Sequence, residues 1–372
     1  MVSARHLALA ALLALAACAP RGVVTMLPGA AELAPARSVY VATTRQAQAD
    51  GAETYGIGRS KQAFFARYDV TVPENREPGR IAWPRDRPDP TRHFLTDDAR
   101  NFDAAAEFRA DLSRALAERP AGQRDAVIFV HGFNSTFAEG LYRTAQIGAD
   151  LALPGVLVHY AWPSRANPLA YAYDRESALF ARDGLERLLK ETARAGTRRM
   201  VIVAHSMGAE LAMETLRQIA IGGDRAVLDR IGGVVLISPD LDLDLFRIQA
   251  DRIGTLPQPF VIFTSRRDRA LALSARLTGE RQRLGNLSDP EPLADYDVTL
   301  LDVSAFSRGL GHFAPATSPD LIRILGRIAE VDSALALERA GRTGLLPGAV
   351  LTVQNATQVI LSPVAAIGGA PP

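Results

Sequence analysis

The segment Val201-Ile202-Val203-Ala204-His205-Ser206-Met207-Gly208 decides the fold of this chain. Its apolar first half predicts a buried strand, and the apolar spacing from Met207 to Ile221 predicts a helix immediately afterwards. A serine at such a junction predicts a sharp strand-to-helix turn that exposes the hydroxyl of Ser206 on a strained backbone. The turn requires small residues two positions before and after the serine, and Ala204 and Gly208 meet that requirement. A tight connection that carries no chemistry is the alternative interpretation.

Similar apolar runs of strand length recur on both sides of this segment, and several of them lack polar alternation. Parallel strands that are buried on both faces have this pattern, and helical segments separate them here. The chain therefore predicts an α/β fold of about eight mostly parallel strands with helices on both faces. The predicted strands are Ser38–Ala42, Tyr68–Val72, Val127–Val130, Val156–Tyr160, Met200–Val203, Val234–Ile237, Phe260–Thr264 and Val298–Val303. The predicted helices are Ala104–Ala117, Phe137–Ala152, Ser177–Ala195, Met207–Ile221 and Leu321–Ala340.

The order of these segments predicts four parts in the chain of 372 residues. Residues 1–17 are predicted to be a signal peptide, and residues 18–37 a tether rich in proline, alanine and glycine. Residues 38–345 are predicted to form one α/β domain, because strands and helices alternate throughout. Residues 346–372 form a C-terminal tail without a charged side chain.

Two stretches are less regular than the rest. In the tail of residues 346–372, Val350–Val353 and Val359–Leu361 are expected to form a hairpin or to extend a sheet edge; a loosely ordered tail is the alternative. From Gly56 to Asp98, the many prolines and charged residues predict a long surface excursion apart from the strand Tyr68–Val72.

The N-terminus has the features of an export signal. A positively charged start precedes the apolar run Leu7 to Ala17, which is too short to span a bilayer, and Cys18 follows it directly. The residues Leu15-Ala16-Ala17-Cys18 resemble the bacterial lipobox, which implies cleavage before Cys18 and attachment of lipid, including palmitate, to that residue. Because Ala19 rather than aspartate comes next, the resemblance implies a lipid anchor in the outer membrane, facing the periplasm. An ordinary cleaved signal that leaves Cys18 as a passive thiol is the alternative.

Composition excludes several classes of protein. The 42 basic and 41 acidic residues give a net charge of +1, which is not the electrostatic footprint of a nucleic-acid binder. A single cysteine excludes a disulfide framework and any zinc site with several cysteines. After the export signal, no apolar stretch reaches the roughly 18 residues that a membrane-spanning helix needs. The oligomeric state is not predictable from these data.

A serine nucleophile needs a general base, and His312 is the candidate. It is the only histidine downstream of Ser206, and it lies in a loop after the last predicted strand. His205 adjoins the serine but is expected to point away from it across the turn. The other histidines lie in the signal, in the proline-rich excursion, or in or at the end of predicted strands: His6, His93, His131 and His159.

The base needs a carboxylate that orients the imidazole and stabilises its charged form. Asp268 follows the strand Phe260–Thr264 and is the favoured candidate. Asp240 follows the preceding strand and is its rival, with a supporting or loop-capping role if Asp268 is the acid. Both lie beyond the carboxyl ends of strands, where open α/β sheets place their ligands.

A tetrahedral oxyanion needs backbone N–H donors. In the segment Val130-His131-Gly132-Phe133-Asn134, the glycine allows the main chain to approach a substrate closely, which makes the Phe133 amide available. The Met207 amide, at the start of the predicted helix, is the second candidate donor. A plain strand-to-helix turn is the alternative for His131-Gly132.

The order His-Gly, Ser, Asp, His, each beyond a predicted strand, resembles the α/β-hydrolase superfamily. The resemblance covers about Ser38 to Glu330, and more narrowly it points to a bacterial branch of unknown function. The shared segments are Ala42-Thr43-Thr44-Arg45, His131-Gly132-Phe133-Asn134, Tyr160-Ala161-Trp162-Pro163-Ser164, Ala204-His205-Ser206-Met207-Gly208, Pro239-Asp240 and Asp268-Arg269-Ala270-Leu271-Ala272-Leu273-Ser274.

The resemblance implies a serine hydrolase of the carboxylesterase type that acts without a metal or organic cofactor. Ser206, His312 and Asp268 would be its catalytic residues, and the expected substrate is a small acyl ester or a lipid. A lipase, phospholipase or amidase acting on envelope material, and a non-catalytic envelope protein that keeps the fold, are the alternatives. The segment Trp162-Pro163-Ser164 is expected at the pocket wall, with core packing of Trp162 as the equal alternative.

Overall fold

A single sheet of eleven strands organises the part of the chain that the computed structural model describes, namely residues 21–48, 55–280, 282–306, 312, 314–326, 348–353 and 356–361. The strands are β1 (Ala36–Ala47), β2 (Tyr55–Thr71), β3 (Leu95–Phe102), β4 (Ala126–Val130), β5 (Val156–Ala161), β6 (Met200–His205), β7 (Ile231–Ile237), β8 (Phe260–Thr264), β9 (Val298–Asp302), β10 (Gly348–Val353) and β11 (Ala356–Leu361). Their order across the sheet is β10-β11-β9-β8-β7-β6-β4-β5-β1-β2-β3.

In this order, the eight strands from β11 to β1 run parallel to one another. Antiparallel pairs occur only at the two edges. At one edge β1, β2 and β3 form an antiparallel meander, and at the other β10 pairs with β11. The carboxyl ends of β4, β6, β8 and β9 therefore meet along one side of the sheet, where ligands bind in folds of this class.

Helices cover both faces of the sheet. Alternate residues of β1 point to opposite sides, so that Tyr40 packs in one hydrophobic cluster and Val41 in another. The first cluster contains Leu112, Leu188 and Leu216 from three helices on one face, and the second contains Leu141 from the opposite face. The helices are α1 (Ala105–Ala117), α2 (Phe137–Asp150), α3 (Tyr171–Phe180), α4 (Arg182–Arg194), α5 (Met207–Ile221), α6 (Arg225–Leu228), α7 (Leu243–Ile253), α8 (Arg269–Thr278), α9 (Ala314–Thr317) and α10 (Pro319–Gly326).

The prediction of a mostly parallel sheet with helices on both faces is confirmed, but the count of about eight strands is too low. The sequence misses β3 because Leu95–Phe102 is a sheet edge whose middle residues alternate between exposed and half-buried. It also underestimates β2, which extends over Tyr55–Thr71 rather than Tyr68–Val72. Antiparallel edge strands with a solvated face contain charged residues. Because of these charged residues, such strands resemble loops in the sequence. Much of the predicted surface excursion is therefore part of the sheet.

Two further predictions concern the helices and the tail. The single predicted helix Ser177–Ala195 is two helices, which meet at Ala181. In the tail, the predicted hairpin at a sheet edge is observed rather than a loosely ordered tail. Strands β10 and β11 form the hairpin, and β11 extends the sheet beside β9. No helix in the described ranges is long and apolar enough to cross a bilayer.

The predicted tether needs a correction from Arg21 onward. Thr25 and Leu27 form backbone hydrogen bonds with Thr96 of β3, and Met26 forms a bridge to the same residue. These contacts attach the segment to the domain surface, because backbone pairing fixes its path. The signal peptide of residues 1–17 and Cys18 lie outside the described residues, and what the sequence implies for them stays a prediction.

Candidate active site

Ser206 occupies a strained turn between β6 and α5. Its backbone has a φ of 52° and a ψ of −124°, a conformation that residues other than glycine rarely adopt. The turn is tight enough to require glycine two residues later: a Cβ atom on Gly208 would lie 2.3 Å from the carbonyl oxygen of His131. The sharp turn that the sequence predicts is therefore present, with the serine at its apex.

His312 connects Ser206 to Asp268. Its Nε2 atom lies 2.9 Å from the Ser206 Oγ atom, and its Nδ1 atom lies 2.8 Å from Asp268 Oδ2. Because a carboxylate only accepts hydrogen bonds, Nδ1 carries the proton and Nε2 is left to accept the hydrogen of the serine hydroxyl. The three residues come from the loops after β6, β8 and β9, so the structure brings together the three side chains that the sequence selects.

The Asp268 carboxylate is fixed by both of its oxygens. Oδ2 receives the His312 imidazole, while Oδ1 accepts the Leu271 amide and thereby caps the N-terminus of α8. The side chain is buried, so water does not compete for these contacts. The aspartate therefore holds the imidazole in one orientation.

The rival carboxylate, Asp240, belongs to a different network. It accepts hydrogen bonds from the Tyr171 hydroxyl at 2.9 Å and from the Ser274 hydroxyl at 2.5 Å. The buried Arg283 pairs with it at 3.2 Å. These partners occupy Asp240 beside the site, and the structure places Asp268 rather than Asp240 against the histidine.

One candidate oxyanion donor belongs to the residue after the serine, and the other belongs to the loop that packs against the serine. The Met207 amide is at the first position of α5, where an N–H has no acceptor within the helix. Gly132 packs so closely that a Cβ atom there would lie 2.9 Å from the Ser206 Cβ, and Phe133 is the next residue. Among the described residues, neither the Phe133 amide nor the Met207 amide donates to a protein acceptor. Both are available to a developing negative charge.

A buried arginine and a buried tryptophan hold the loop of residues 131–136 in place. Arg45 donates to the carbonyl oxygens of Ser135 at 2.8 Å and Ser164 at 3.1 Å. Burial lowers the pKa of Arg45 to about 10, which leaves it charged at neutral pH. Trp162 stacks on the His131 ring at 4.8 Å and donates to the His131 carbonyl oxygen. Of the two interpretations of Trp162, core packing is therefore the observed one.

His205 supports the loop that carries His312. Its Nε2 atom lies 3.3 Å from the His312 carbonyl oxygen, and the two rings are 4.8 Å apart. Burial, with the charge of His312 as a smaller cause, holds the pKa of His205 well below its ordinary value. A neutral His205 does not repel a positive charge that forms on His312. The position of His205 next to the serine is the signal in the sequence that points to this supporting role.

Arg21 is a further residue that the sequence analysis missed. Its guanidinium donates to the Asn134 carbonyl oxygen at 2.7 Å, the Asn134 side-chain oxygen at 3.0 Å and the Ala166 carbonyl oxygen at 3.1 Å. It also pairs with both carboxylate oxygens of Glu139 at the start of α2. Asn134 has a φ of 57° and directly follows the candidate oxyanion donor Phe133. Arg21 thus fixes the outer end of the loop, and no local pattern in the sequence indicates this.

A cavity of about 500 Å³ adjoins the serine turn on the side of α2. Gly132 and His205 form its inner end, and Ile81 and Trp83 contribute apolar surface. The guanidinium of Arg143 also lines it, and burial lowers the pKa of that group to about 10. Neither Ser206 nor His312 is among the described residues that line it. Over the described ranges, no cluster of three or more His, Cys, Asp or Glu side chains is arranged to hold a metal ion.

Comparison with known proteins supports the same fold. The family model described as "Alpha/beta hydrolase of unknown function (DUF900)" matches residues 104–327, more than half of the chain. No curated protein matches.

Similar solved structures include the esterase Pf2001 of Pyrococcus furiosus, at 13% identity over 86% of this chain and 99% of that chain, with a TM-score of 0.37. The carboxylesterase EstE1 from a metagenomic library has 15% identity over 91% of this chain and 96% of its own, with a TM-score of 0.36. Esterase Est2 of Thermogutta terrifontis has 12% identity over 73% and 88%, with a TM-score of 0.30.

Proposed function

Because this chain belongs to the α/β-hydrolase family of unknown function (DUF900), we propose that it is a serine hydrolase that cleaves carboxylic esters. The observation that carries the proposal is the position of His312, within hydrogen-bond distance of both the Ser206 hydroxyl and the Asp268 carboxylate. A hydroxyl, an imidazole and a carboxylate in this sequence form the arrangement that activates a serine for nucleophilic attack. The two amides beside the serine supply the donors that the same chemistry requires.

In the proposed first step, Ser206 Oγ forms a bond to the ester carbonyl carbon while its proton moves to His312 Nε2. The carbonyl oxygen becomes an oxyanion and accepts hydrogen bonds from the Phe133 and Met207 amides. When the tetrahedral intermediate collapses, the bond to the alcohol oxygen breaks, and the alcohol leaves with the proton from Nε2. The acyl group remains on the serine as an ester.

In the proposed second step, water attacks this acyl-enzyme and His312 Nε2 accepts a proton from it. The bond between Ser206 Oγ and the acyl carbon then breaks, the serine recovers its proton, and a carboxylic acid leaves. Asp268 stabilises the positive charge on the imidazole in both steps and keeps Nε2 directed at the serine. The neutral state of His205 assists, since no second charge opposes the imidazolium.

The proposal includes attachment of the enzyme to the bacterial outer membrane through lipid on Cys18. The observation behind it is the position of the chain's single cysteine at the end of the lipobox-like segment Leu15–Cys18. Radioactive palmitate should enter the full chain and be absent from the Cys18→Ser variant. Equal incorporation in both, or none in either, would contradict the anchor without affecting the hydrolase proposal.

The test of the chemistry compares two serine variants in a soluble chain that begins at Ala19. Ser206→Ala should abolish hydrolysis of short p-nitrophenyl esters. Ser304→Ala should leave it unchanged, since the Ser304 hydroxyl bonds Asp302 at the same side of the sheet and contacts no histidine that the structure describes. Turnover that survives in Ser206→Ala would reject the serine hydrolase.

A panel of substrates then separates the related activities. The proposal of a carboxylic ester hydrolase predicts cleavage of esters, whatever their acyl length, and little cleavage of amides. A maximum at long chains would indicate a lipase or phospholipase, and preferential amide cleavage would indicate an amidase. If the natural chain cleaves nothing and no fluorophosphonate labels Ser206, a non-catalytic envelope protein is the better account.

A further inference from the structure

The contacts of Arg21 connect the predicted lipid anchor to the candidate active site. Arg21 follows Cys18 by three residues in the sequence, and its guanidinium is bonded to Asn134 in the loop that holds the Phe133 amide. Three residues of extended chain span at most about 11 Å. If Cys18 carries lipid, the membrane surface therefore lies close to this side of the domain and not to the opposite one.

Three exposed apolar side chains belong to segments that hydrogen bonds connect to the same loop: Val23 is 67% exposed, Ile57 is 51% exposed and Leu169 is 93% exposed. We name them the rim residues. Single exposed apolar residues are common on protein surfaces and carry no meaning alone. Their shared location is the informative feature, because each lies near a carbonyl group that hydrogen bonds connect to residues 134–136.

Hydrogen bonds of two carbonyl groups connect the segments of Val23 and Ile57 to residues 134–136. Next to Val23, the Gly22 carbonyl accepts a hydrogen bond from the Thr136 hydroxyl. Next to Ile57, the Gly56 carbonyl accepts one from Arg45, which also holds Ser135.

A third hydrogen bond, which Arg21 donates, connects the segment of Leu169 to the candidate oxyanion loop. Three residues before Leu169, the Ala166 carbonyl accepts a hydrogen bond from Arg21. Two residues after it, the Tyr171 ring packs edge-on against Phe133 at 5.4 Å. The segments that carry the rim residues are thus all connected to the loop that flanks Ser206.

Two arginines accompany these apolar groups, and one of them, Arg59, also pairs with Glu176 at 3.7 Å. The guanidinium groups of Arg59 and Arg165 lie 4.0 Å from the centre of the same Tyr173 ring. Arg165 is adjacent to Ala166, and Arg59 is two residues from Ile57. Apolar side chains with neighbouring arginines and an aromatic ring match the interface of a membrane with anionic lipid headgroups.

We infer that the rim residues rest on the lipid surface and that the natural substrate is an ester carried by a membrane lipid. The ester groups of such lipids lie at the boundary between headgroups and acyl chains, which is the depth that the rim residues would reach. The inference deepens the proposed function and rests on both the hydrolase activity and the lipid anchor. It goes beyond the anchor by assigning the residues that meet the lipid surface and the source of the substrate.

The direct test measures which side of the domain meets the bilayer. The full lipidated chain is reconstituted in vesicles of phosphatidylethanolamine and phosphatidylglycerol, and a fluorophore is attached through Leu169→Cys or, as the control, Ile221→Cys. Lipid occupies Cys18, the only native cysteine, so each variant is labelled at one position. Ile221 is 48% exposed and ends the 15-residue helix α5, about 22 Å from Ser206.

Quenching by nitroxide-bearing lipids should be several-fold stronger for the label at position 169 than for the label at position 221. Equal quenching, or stronger quenching at 221, would overturn the inference. A chain purified without lipid on Cys18 would overturn it as well. Each result is independent of whether the protein hydrolyses esters.

A kinetic test separates the inference from the proposed function. Each lipidated variant is assayed on a soluble p-nitrophenyl ester and on a long-chain ester dissolved in the same vesicles. In Leu169→Asp, the ratio of vesicle to soluble turnover should fall about tenfold, because a charge replaces an apolar contact at the interface. In Ile221→Asp the ratio should stay at the natural value.

The outcomes of this assay are distinct. An unchanged ratio in Leu169→Asp, with soluble turnover present, contradicts the membrane-facing rim and leaves the hydrolase intact. Absence of turnover on both substrates in the natural chain contradicts the proposed function, and the quenching experiment still decides the orientation.

Discussion

Arg21 and Asn134 are 113 positions apart in the sequence, yet the guanidinium of Arg21 donates to both oxygens of Asn134. Asn134 directly follows Phe133, whose amide is one of the two proposed oxyanion donors, and it has a positive φ of 57°. The arginine therefore positions the loop without contacting a substrate. Its remaining contacts, with Glu139 and Ala166, join this loop to the start of α2 and to the loop after β5.

We expect Arg21→Ala to lower kcat for a soluble ester about tenfold with little change in KM, since a misplaced oxyanion donor weakens only the transition state. The control is Arg247→Ala on α7, which removes an exposed arginine that pairs with Asp244. Arg247→Ala should keep the natural kcat. Steady-state kinetics check both variants; an unchanged kcat in Arg21→Ala would argue against the positioning role.

The two buried carboxylates beside the site should respond differently to the same substitution. Asp268→Asn keeps an oxygen for the Leu271 amide but loses the charge beside His312, so kcat should fall by about 10⁴ while the fold is retained. Asp240→Asn leaves Arg283 without this partner and should cost about 3 kcal/mol of unfolding free energy, with a smaller effect on kcat. Urea unfolding and kinetics on both variants test the assignment. A larger loss of kcat in Asp240→Asn would reverse the roles.

The tight turn at the serine predicts a strong effect of one added methyl group. In Gly208→Ala the new Cβ atom would lie 2.3 Å from the His131 carbonyl oxygen, so Tm and kcat should both fall. Gly222→Ala, at the other end of the same helix, meets nothing nearer than 3.5 Å and should be neutral or slightly stabilising. Thermal unfolding compares the pair. A stable, active Gly208→Ala variant would show that the turn is looser than described.

Buried histidines make the protein sensitive to acid. Burial lowers the pKa of His159 to about 3, from an ordinary value of 6.5. As the pH falls below about 6.5, the unfolded chain takes up the proton first, so stability is complete above that pH and is lost progressively towards pH 3. At pH 5 this residue alone should remove about 2 kcal/mol.

His159→Gln should therefore flatten the dependence of unfolding free energy on pH between 8 and 5 by about that 2 kcal/mol. Part of the slope should remain, because burial also holds the pKa values of His131 and His205 well below 6.5. Chemical denaturation at several pH values measures the slope. An equally steep slope in the variant would mean that His159 is not buried in its neutral form.

The fold and the reactive residues could be predicted for physical reasons that particular elements illustrate. The buried parallel strand β6 consists almost entirely of apolar residues, and a strained turn restricts the side chains around Ser206 to small ones. His312 could be selected because histidine is rare in this chain, with only six residues, and no other lies downstream of the serine.

Other features could not be predicted because they depend on long-range contacts. Asp240 and Asp268 both follow strands, and only their partners in the folded chain separate them. The strand β3 is an edge with polar residues, which look like a loop in the sequence. The hydrogen bonds of Arg21 join distant parts of the chain, so no local periodicity in the sequence predicts them.

Labelling by a fluorophosphonate shows whether His312 activates Ser206. In the natural chain we predict a single covalent adduct, which peptide mass spectrometry places on Ser206. In a folded His312→Ala variant, the rate of labelling should fall by several orders of magnitude, because no other side chain in the described part of the chain is bonded to the Ser206 hydroxyl. An adduct on another residue, or an unchanged rate in the variant, would contradict the account.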